Sequence, residues 1–136
     1  MSTTEDDKIR DVFTQQPFAI IGCSGTPGKA AHEVPRYLVQ NGYDIIPVNP
    51  TAEAILDRTS YESLAEVPDK VPVVTVFRPS EEVSGIVDDV LTKPDVETLW
   101  LQLGISDSDA IERAEAGGIT VIENRCMKIE HERLMR

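Results

Sequence analysis

Short apolar runs alternate along the chain with segments in which apolar residues recur every three or four positions. Runs this short suit strands buried on both faces, whereas the longer spacing is typical of amphipathic helices. The runs predict five strands, over residues 18–23, 43–48, 71–77, 97–103 and 119–122. This alternation predicts a single α/β domain of Rossmann type, a five-stranded parallel sheet with helices on both faces. Numbered along the chain, the strands are expected in the order 3-2-1-4-5.

Prolines, glycines and capping residues predict where the helices begin and end. Proline fits only the first turn of a helix, so Pro35 predicts a helix that begins near Glu33. Ser80 is a suitable N-cap for a second helix, which Pro94 ends. Weaker patterns predict shorter helical segments, over about residues 60–66, 107–116 and 128–135.

Length and charge narrow the class of protein. The 136 residues hold one domain, which we place at residues 10–136 behind an acidic lead-in of residues 1–9. With 13 basic and 24 acidic residues the net charge is −11, which argues against nucleic acid as a partner because backbone phosphates need clustered Lys and Arg. No apolar run approaches the ~18 residues of a membrane span, and no secretory signal is visible. We therefore expect an acidic cytoplasmic protein with no membrane partner and with reduced cysteines.

Residues suited to holding a phosphate follow the first predicted strand. This glycine turn (residues 22–29) reads Gly-Cys-Ser-Gly-Thr-Pro-Gly-Lys. Its glycines let the backbone approach an anion, and the helix that follows offers unpaired N–H groups and a positive dipole end. Ser24 and Thr26 add hydroxyls, and Lys29 adds a cation. A plain strand-to-helix turn would also contain glycine and proline, so the pattern alone leaves both interpretations open.

Two better-known nucleotide motifs do not fit this turn. In a P-loop, Cys23 would have to be glycine and Ala30 would have to be serine or threonine. In the dinucleotide fingerprint, Ser24 and Pro27 stand where the second and third glycines belong, and no acidic residue follows the second strand. A nicotinamide-dependent oxidoreductase is therefore the weaker alternative, and NTP hydrolysis is disfavoured.

Six segments of the chain occur in the order and at the separations of a known family. They cover residues 22–29, 36–38, 42–50, 76–78, 100–104 and 124–131. On these motifs the chain resembles the stand-alone CoA-binding proteins, which are similar in fold to the N-terminal domain of the succinyl-CoA synthetase alpha subunit. The resemblance extends over about residues 10–135.

The resemblance implies that coenzyme A or an acyl-CoA lies along the carboxyl edge of the sheet. The pyrophosphate would be held by the glycine turn, through Gly22, Ser24, Gly25, Thr26, Pro27, Gly28 and Lys29. The adenosine portion would be flanked by Asn49, Pro50, Phe77 and Arg78, and the pantetheine arm by Gln102, Leu103, Gly104, Asn124 and Arg125. Lys29 and Arg78 are candidate partners of the 3′-phosphate, because Lys and Arg both bind phosphate. Ala31 replaces a serine that is frequent in the family, which removes one hydroxyl donor.

No nucleophile–base pair or metal-ligand spacing is visible in the sequence. We therefore favour non-catalytic CoA binding, as a carrier, a sensor or a partner subunit of a CoA-dependent enzyme, with a homodimer as a further option. The alternative is an acyl-CoA-dependent transferase, or a synthetase subunit that needs a partner chain. Cys126 lies next to Arg125 and Lys128, and neighbouring cations favour a thiolate that could form a mixed disulfide with CoA. A packing role for Cys126 is the competing interpretation, and His131 is expected on a solvated helix face.

Overall fold

Five parallel strands form the central sheet of the computed structural model, which describes residues 4–135. They are β1 (Phe18–Ile21), β2 (Ile45–Val48), β5 (Val73–Val76), β6 (Thr98–Leu101) and β7 (Thr120–Ile122). Between β2 and β5 the chain adds a small antiparallel hairpin, whose strands are β3 (Ala54–Ile55) and β4 (Arg58–Thr59). The predicted α/β class and its five-stranded parallel sheet are confirmed.

Helices cover both faces of the sheet, also as predicted. They are α1 (Glu5–Val12), α2 (Ala30–Gln40), α3 (Val83–Leu91), α4 (Ser108–Ala116) and α5 (Met127–Leu134). The apolar residues of α3 and α4 form one buried cluster with the sheet, and those of α1, α2 and α5 form a second cluster on its other face. The sheet is therefore the middle layer of three.

The expected strand order 3-2-1-4-5 is wrong, because the observed order is β2-β1-β5-β6-β7. The third predicted strand, β5, pairs with β1 and does not lie beyond β2. β2 is instead the edge strand, and its Pro47 fits there because proline cannot donate a hydrogen bond to a second neighbour. The strand order consequently reverses between β1 and β5, and crevices for ligands form at such a switch point.

Helix α2 begins at Ala30, three residues before the predicted start, so that Pro35 lies inside the helix. A proline at this position has no N–H to donate to the carbonyl four residues earlier, which belongs to Ala31. The Ala31 carbonyl accepts a hydrogen bond from the Ser24 backbone N–H instead, at 2.9 Å. The gap left by Pro35 thus fastens the glycine turn to the helix.

Residues 5–9 of the predicted lead-in lie in α1, while residues 1–3 fall outside the described residues. The side chain of Thr4 caps the helix, and the acidic residues of its first turn complement the helix dipole. Ile9 is fully buried and Val12 almost so. The sequence analysis predicted no helix here because α1 buries only these two positions.

His131 is buried, so its predicted place on a solvated helix face is wrong. The Tyr37 hydroxyl lies 2.7 Å from its Nδ1, and the rings of Phe13, Tyr37 and Tyr43 surround the imidazole. These partners come from distant parts of the chain, and together they attach α5 to α1 and α2.

Candidate functional site

A pocket of about 640 Å³ opens at the carboxyl edge of the sheet, where the strand order reverses. The segments that follow β1, β2 and β5 all contribute to this switch-point pocket. Its lining contains these predicted site residues: Gly22, Ser24, Lys29, Asn49, Pro50, Phe77 and Arg78. Part of the predicted pyrophosphate motif and all of the predicted adenosine residues therefore line one cavity.

Gly22 begins the glycine turn in a conformation that requires glycine. Its φ is +84°, and a Cβ atom there would lie 2.8 Å from Arg78 Cδ and 3.0 Å from the Phe77 carbonyl oxygen. The turn is also tied to β2, because Asn49 Nδ2 donates to the Cys23 carbonyl at 2.9 Å. The close approach of the segments after β1 and β5 therefore depends on the absence of a side chain at position 22.

Several backbone N–H groups of the glycine turn point to partners within the turn and α2. Thr26 N–H donates to Ser24 Oγ at 3.1 Å, and Gly28 N–H donates to Glu33 Oε2 at 3.1 Å. The N–H groups of Gly25, Ala30 and Ala31 make no hydrogen bond to any part of residues 4–135. Unpaired amides at the start of a helix are the groups that bind phosphate.

The charged side chains of the switch-point pocket are of both signs. Arg78 donates to both carboxylate oxygens of Glu82, from Nε at 3.1 Å and from Nη2 at 2.6 Å. This contact lowers the pKa of Glu82 and raises that of Arg78. Glu62 and Asp89 also line the pocket, and the Gly28 amide lowers the pKa of the nearby Glu33. Two of the predicted phosphate-binding groups, the Arg78 guanidinium and the Gly28 amide, are thus bonded to carboxylates.

The thiol of Cys23, which lines this pocket, is unreactive. Cys23 is fully buried, and its burial raises the pKa of the thiol to about 12. The Cys23 thiol therefore stays protonated at neutral pH. It is unreactive there because only a thiolate is an effective nucleophile.

A second cavity, the β7 cavity, lies farther along the same edge and measures about 540 Å³. Asn124, Arg125 and Cys126 line it, beside the exposed side chains of Leu103 and Ile129. Most polar groups there are already bonded within the protein. Asn124 Oδ1 accepts from the Gly104 N–H at 2.7 Å, and Arg125 pairs with the buried Glu130 at 3.2 Å.

The remaining predicted site residues lie outside both cavities. Gln102 is buried, and its Oε1 accepts a hydrogen bond from the Met127 N–H at 3.1 Å, while its Nε2 has no partner among the described residues. The exposed tip of the glycine turn also lines neither cavity, and it consists of Gly25, Thr26, Pro27 and Gly28. The structure therefore does not gather all the predicted residues into one site.

Part of the switch-point pocket and a cleft elsewhere were not predicted from the sequence. Thr51, Ser63 and Leu64 line the pocket, but their irregular segment carries no periodic pattern from which a site could be read. A larger cleft of about 890 Å³ lies at the opposite edge, between α1 and the amino ends of β6 and β7. It holds none of the predicted motif residues, and ligands of such sheets bind at the carboxyl edge.

Neither a membrane span nor a metal centre is found in the part of the chain that the structure describes. None of the helices within residues 4–135 is both long and apolar enough to cross a bilayer. The same residues contain no group of three or more His, Cys, Asp or Glu side chains placed to hold a metal ion.

A doubly wound parallel sheet with a glycine turn at its switch point defines a nucleotide-binding class of domain. Within that class, the family model described as a CoA binding domain matches residues 16–132, so the chain belongs to this CoA-binding family. The family resemblance read from the sequence motifs is thereby confirmed.

Similar proteins include both stand-alone chains and a larger enzyme. The protein YneT of Bacillus subtilis is 34% identical over 132 residues, which are 96% of this chain and 97% of YneT. The solved structure of a hypothetical protein from Pyrococcus horikoshii OT3 has a TM-score of 0.93 and 34% identity, covering 98% of this chain and 94% of that one. The ADP-forming acetate–CoA ligase II of Archaeoglobus fulgidus is 34% identical over 87 residues, but these are 62% of this chain and only 13% of the ligase.

Proposed function

We propose that the chain binds coenzyme A or an acyl-CoA in the switch-point pocket without catalysing a reaction on it. The observation that carries this proposal is the set of unpaired N–H groups at Gly25, Ala30 and Ala31. Ala31 lines the pocket of about 640 Å³, and Gly25 and Ala30 adjoin its lining residues Ser24 and Lys29 along the chain. A pyrophosphate held there would receive main-chain hydrogen bonds and the favourable end of the α2 dipole. Membership of a CoA-binding family makes CoA the ligand that this arrangement supports best.

Two cations give the pocket a means to recognise the 3′-phosphate that distinguishes CoA from other adenine nucleotides. Lys29 and Arg78 both line the pocket. The planar Arg78 guanidinium can present two N–H groups to one phosphate, as it does to the carboxylate of Glu82. We assign the adenosine portion to the space between Asn49 and Phe77 and the pantetheine arm to the direction of β6 and β7.

The chemistry of the pocket supports binding more than catalysis. Ser24 Oγ accepts a hydrogen bond from Thr26, and the Cys23 thiol is held in its protonated form. Ala31, which lines the pocket, offers no hydroxyl there. Such a module suits a carrier or sensor of CoA in the cytoplasm, or a subunit that delivers CoA to an enzyme.

Calorimetric titration of the purified chain tests this proposal. We expect CoA to bind with a dissociation constant in the micromolar range or below, and NAD to give no heat at millimolar concentration. NAD is the matched control because it carries the adenosine and pyrophosphate groups but lacks the 3′-phosphate and the pantetheine arm. Absence of heat with millimolar CoA would end the proposal.

A second candidate function is that of a transferase or ligase subunit. The match to a segment of the acetate–CoA ligase II of Archaeoglobus fulgidus favours it, because there a related sequence is part of a much longer enzyme. Acyl-CoA turnover by the isolated chain, measured as release of free CoA thiol and lost on Cys126→Ser, would support the transferase. No turnover together with tight CoA binding would leave the binding module.

A further inference from the structure

Two carboxylates of the chain already hold groups that the proposed ligand would use. Glu82 accepts hydrogen bonds from Nε and Nη2 of Arg78, and Glu33 accepts one from the N–H of Gly28 in the glycine turn. We propose that Glu33 and Glu82 are built-in competitors of the ligand, so that phosphate groups bind by exchange with them. This inference rests on the proposed function and names the residues that set the affinity of that site.

The Arg78–Glu82 pair has the geometry of an arginine–phosphate contact, but both side chains are half exposed to solvent and the contact is therefore weak. Its two hydrogen bonds have the fork arrangement in which arginine also binds phosphate. The two side chains are 47% and 45% exposed, and ion pairs this exposed to solvent contribute little to stability. A phosphate dianion can therefore displace Glu82, but it has to give up part of its binding free energy to do so.

Glu33 competes at the pyrophosphate position. Its carboxylate reaches back from the first turn of α2 to the Gly28 N–H, near the unpaired N–H groups of Ala30 and Ala31. A pyrophosphate on those amides would lie beside this negative charge and be repelled by it. Arg36 gives the displaced carboxylate another partner, because its Nη2 lies 3.0 Å from Glu33 Oε1.

The two carboxylates lower the affinity for different ligands. The pyrophosphate of any adenine dinucleotide or of CoA meets Glu33 at the glycine turn. Only a ligand that also brings a 3′-phosphate to Arg78 has to displace Glu82. Glu33 therefore lowers the affinity for every ligand with a pyrophosphate, whereas Glu82 lowers the affinity for CoA more than that for dephospho-CoA.

Isosteric amide variants separate the charge of each carboxylate from its shape. Glu82→Gln and Glu33→Gln keep an oxygen acceptor, and Glu112→Gln on α4 is the control for the loss of one negative charge at an exposed site away from the pocket. Each variant and the wild type are titrated with CoA and with dephospho-CoA, and with inorganic pyrophosphate as a smaller probe. Thermal unfolding confirms that each variant is folded.

The proposal predicts a different pattern for each variant. Glu82→Gln should bind CoA about 3- to 5-fold more tightly than wild type and leave dephospho-CoA within about 2-fold. Glu33→Gln should tighten CoA, dephospho-CoA and pyrophosphate by similar factors. Glu112→Gln should leave all three within about 2-fold of wild type.

The results that overturn the proposal differ from those that overturn CoA binding itself. If wild type binds CoA but Glu33→Gln and Glu82→Gln match Glu112→Gln, there is no competition. Weaker CoA binding by Glu82→Gln would make Glu82 a positioning residue for Arg78, which also contradicts the proposal. If neither wild type nor any variant binds CoA, the proposed function fails and the exchange fails with it.

Discussion

Near β1 and β5, main-chain amides and the Lys29 side chain stand beside an open pocket, whereas near β7 the polar groups bond to one another. Glu130, for example, is buried and accepts hydrogen bonds from Arg125 and Arg133. Arg133 in turn donates to Asp6 of α1 at 2.7 Å. One end of the carboxyl edge thus leaves several main-chain donors unpaired among the described residues, and the other uses its polar groups to join α5 and α1 to the sheet.

The contrast shows why a motif along one sheet edge is not by itself a site. Asn124, Arg125 and Arg78 all follow strands, and all belong to the motifs of the family resemblance. Arg78 lies 47% exposed beside the switch-point pocket, and Asn124 closes a turn by accepting from the Gly104 N–H. Five predictions test this difference between the pocket near β1 and β5 and the bonded polar groups near β7.

The largest expected effect is a loss of stability at the end near β7, where α1 and α5 are joined to the sheet. Ile9→Ala should lower the free energy of unfolding by about 2–5 kcal/mol, because Ile9 is fully buried and the change leaves a cavity beneath α1. Ile129→Ala is the matched control, since Ile129 is 53% exposed, and should change stability by no more than about 0.5 kcal/mol. Urea unfolding measures both, and equal losses would show that α1 is not part of the core.

The next test concerns the glycine turn, at the end near β1 and β5. Gly22→Ala should cost about 1–3 kcal/mol of stability, because alanine is strained at φ +84° and its Cβ meets Arg78. It should also weaken CoA binding at least ~10-fold, which is about 1.4 kcal/mol. Gly25→Ala should leave the unfolding free energy unchanged, since Gly25 has no positive φ and a Cβ atom there would have no other atom within 4 Å. A Gly22→Ala protein with normal affinity would contradict the assignment of the turn.

Two arginines allow the two ends to be compared directly. Arg78→Ala should weaken CoA about 10-fold, dephospho-CoA less, and stability hardly at all, because it removes only an exposed ion pair. Arg125→Ala should lower the unfolding free energy by about 1.5–3 kcal/mol, since it removes one partner of the buried Glu130. Its affinity for CoA should stay within about 3-fold of wild type. Calorimetric titration and urea unfolding of both variants measure these effects. A large loss of stability in Arg78→Ala together with a large loss of CoA affinity in Arg125→Ala would contradict the account.

Acid should weaken the carboxylate contacts at both ends. The pKa values of Asp6, Glu33 and Glu82 are lowered in the folded protein, chiefly by hydrogen bonds from Arg133, Gly28 and Arg78 respectively. A lowered folded pKa gives stability that is present above the unfolded pKa and is lost as pH falls through the folded one. Stability should therefore fall as pH drops below the ordinary carboxyl values of 3.8 for Asp and 4.5 for Glu.

The variant Glu82→Gln isolates one of these contributions. Because it has no carboxyl at position 82, its unfolding free energy should decline less than that of wild type over the same acid range. Urea unfolding at several pH values measures the difference. Parallel curves for the two proteins would show that the Arg78–Glu82 pair adds nothing to stability.

The smallest perturbation is chemical labelling of the two thiols. Cys126 is partly exposed and should react with iodoacetamide at neutral pH, while the buried Cys23, whose pKa is about 12, should not react until the protein unfolds. Peptide mass spectrometry measures both, and intact mass after oxidation with CoA tests the predicted mixed disulfide at Cys126. Labelling of Cys23 in the folded chain would mean that its end of β1 opens.

The sequence was informative where the chemistry is local. The glycines of the turn were predicted to let the backbone approach an anion, which stays a prediction, and at Gly22 the structure shows another reason for glycine, a φ of +84° and a close contact with Arg78. The helix start was misjudged because the Ser24–Ala31 hydrogen bond, which compensates for Pro35, joins two segments of the chain. Pro47 did carry a signal for the strand order, since proline favours an edge strand, but the expected order did not use it.

Contacts between distant residues account for the rest. The charged segment around His131 looks solvated in the sequence, yet Phe13 and Tyr43 reach it from other elements. In the same way, no local pattern distinguishes Glu82 from an ordinary acidic residue at a helix start. Its contact with Arg78 is seen only in the structure.

The central claim is that main-chain amides of the glycine turn and of the start of α2 hold the ligand. Amide chemical shifts of the ¹⁵N-labelled chain, followed during a CoA titration, test it most directly. We predict large, saturable shifts for Gly25, Ala30 and Ala31, and none for Gly117 and Thr120 in the cleft at the opposite edge. Shifts confined to that cleft, with the turn unmoved at saturating CoA, would contradict the account.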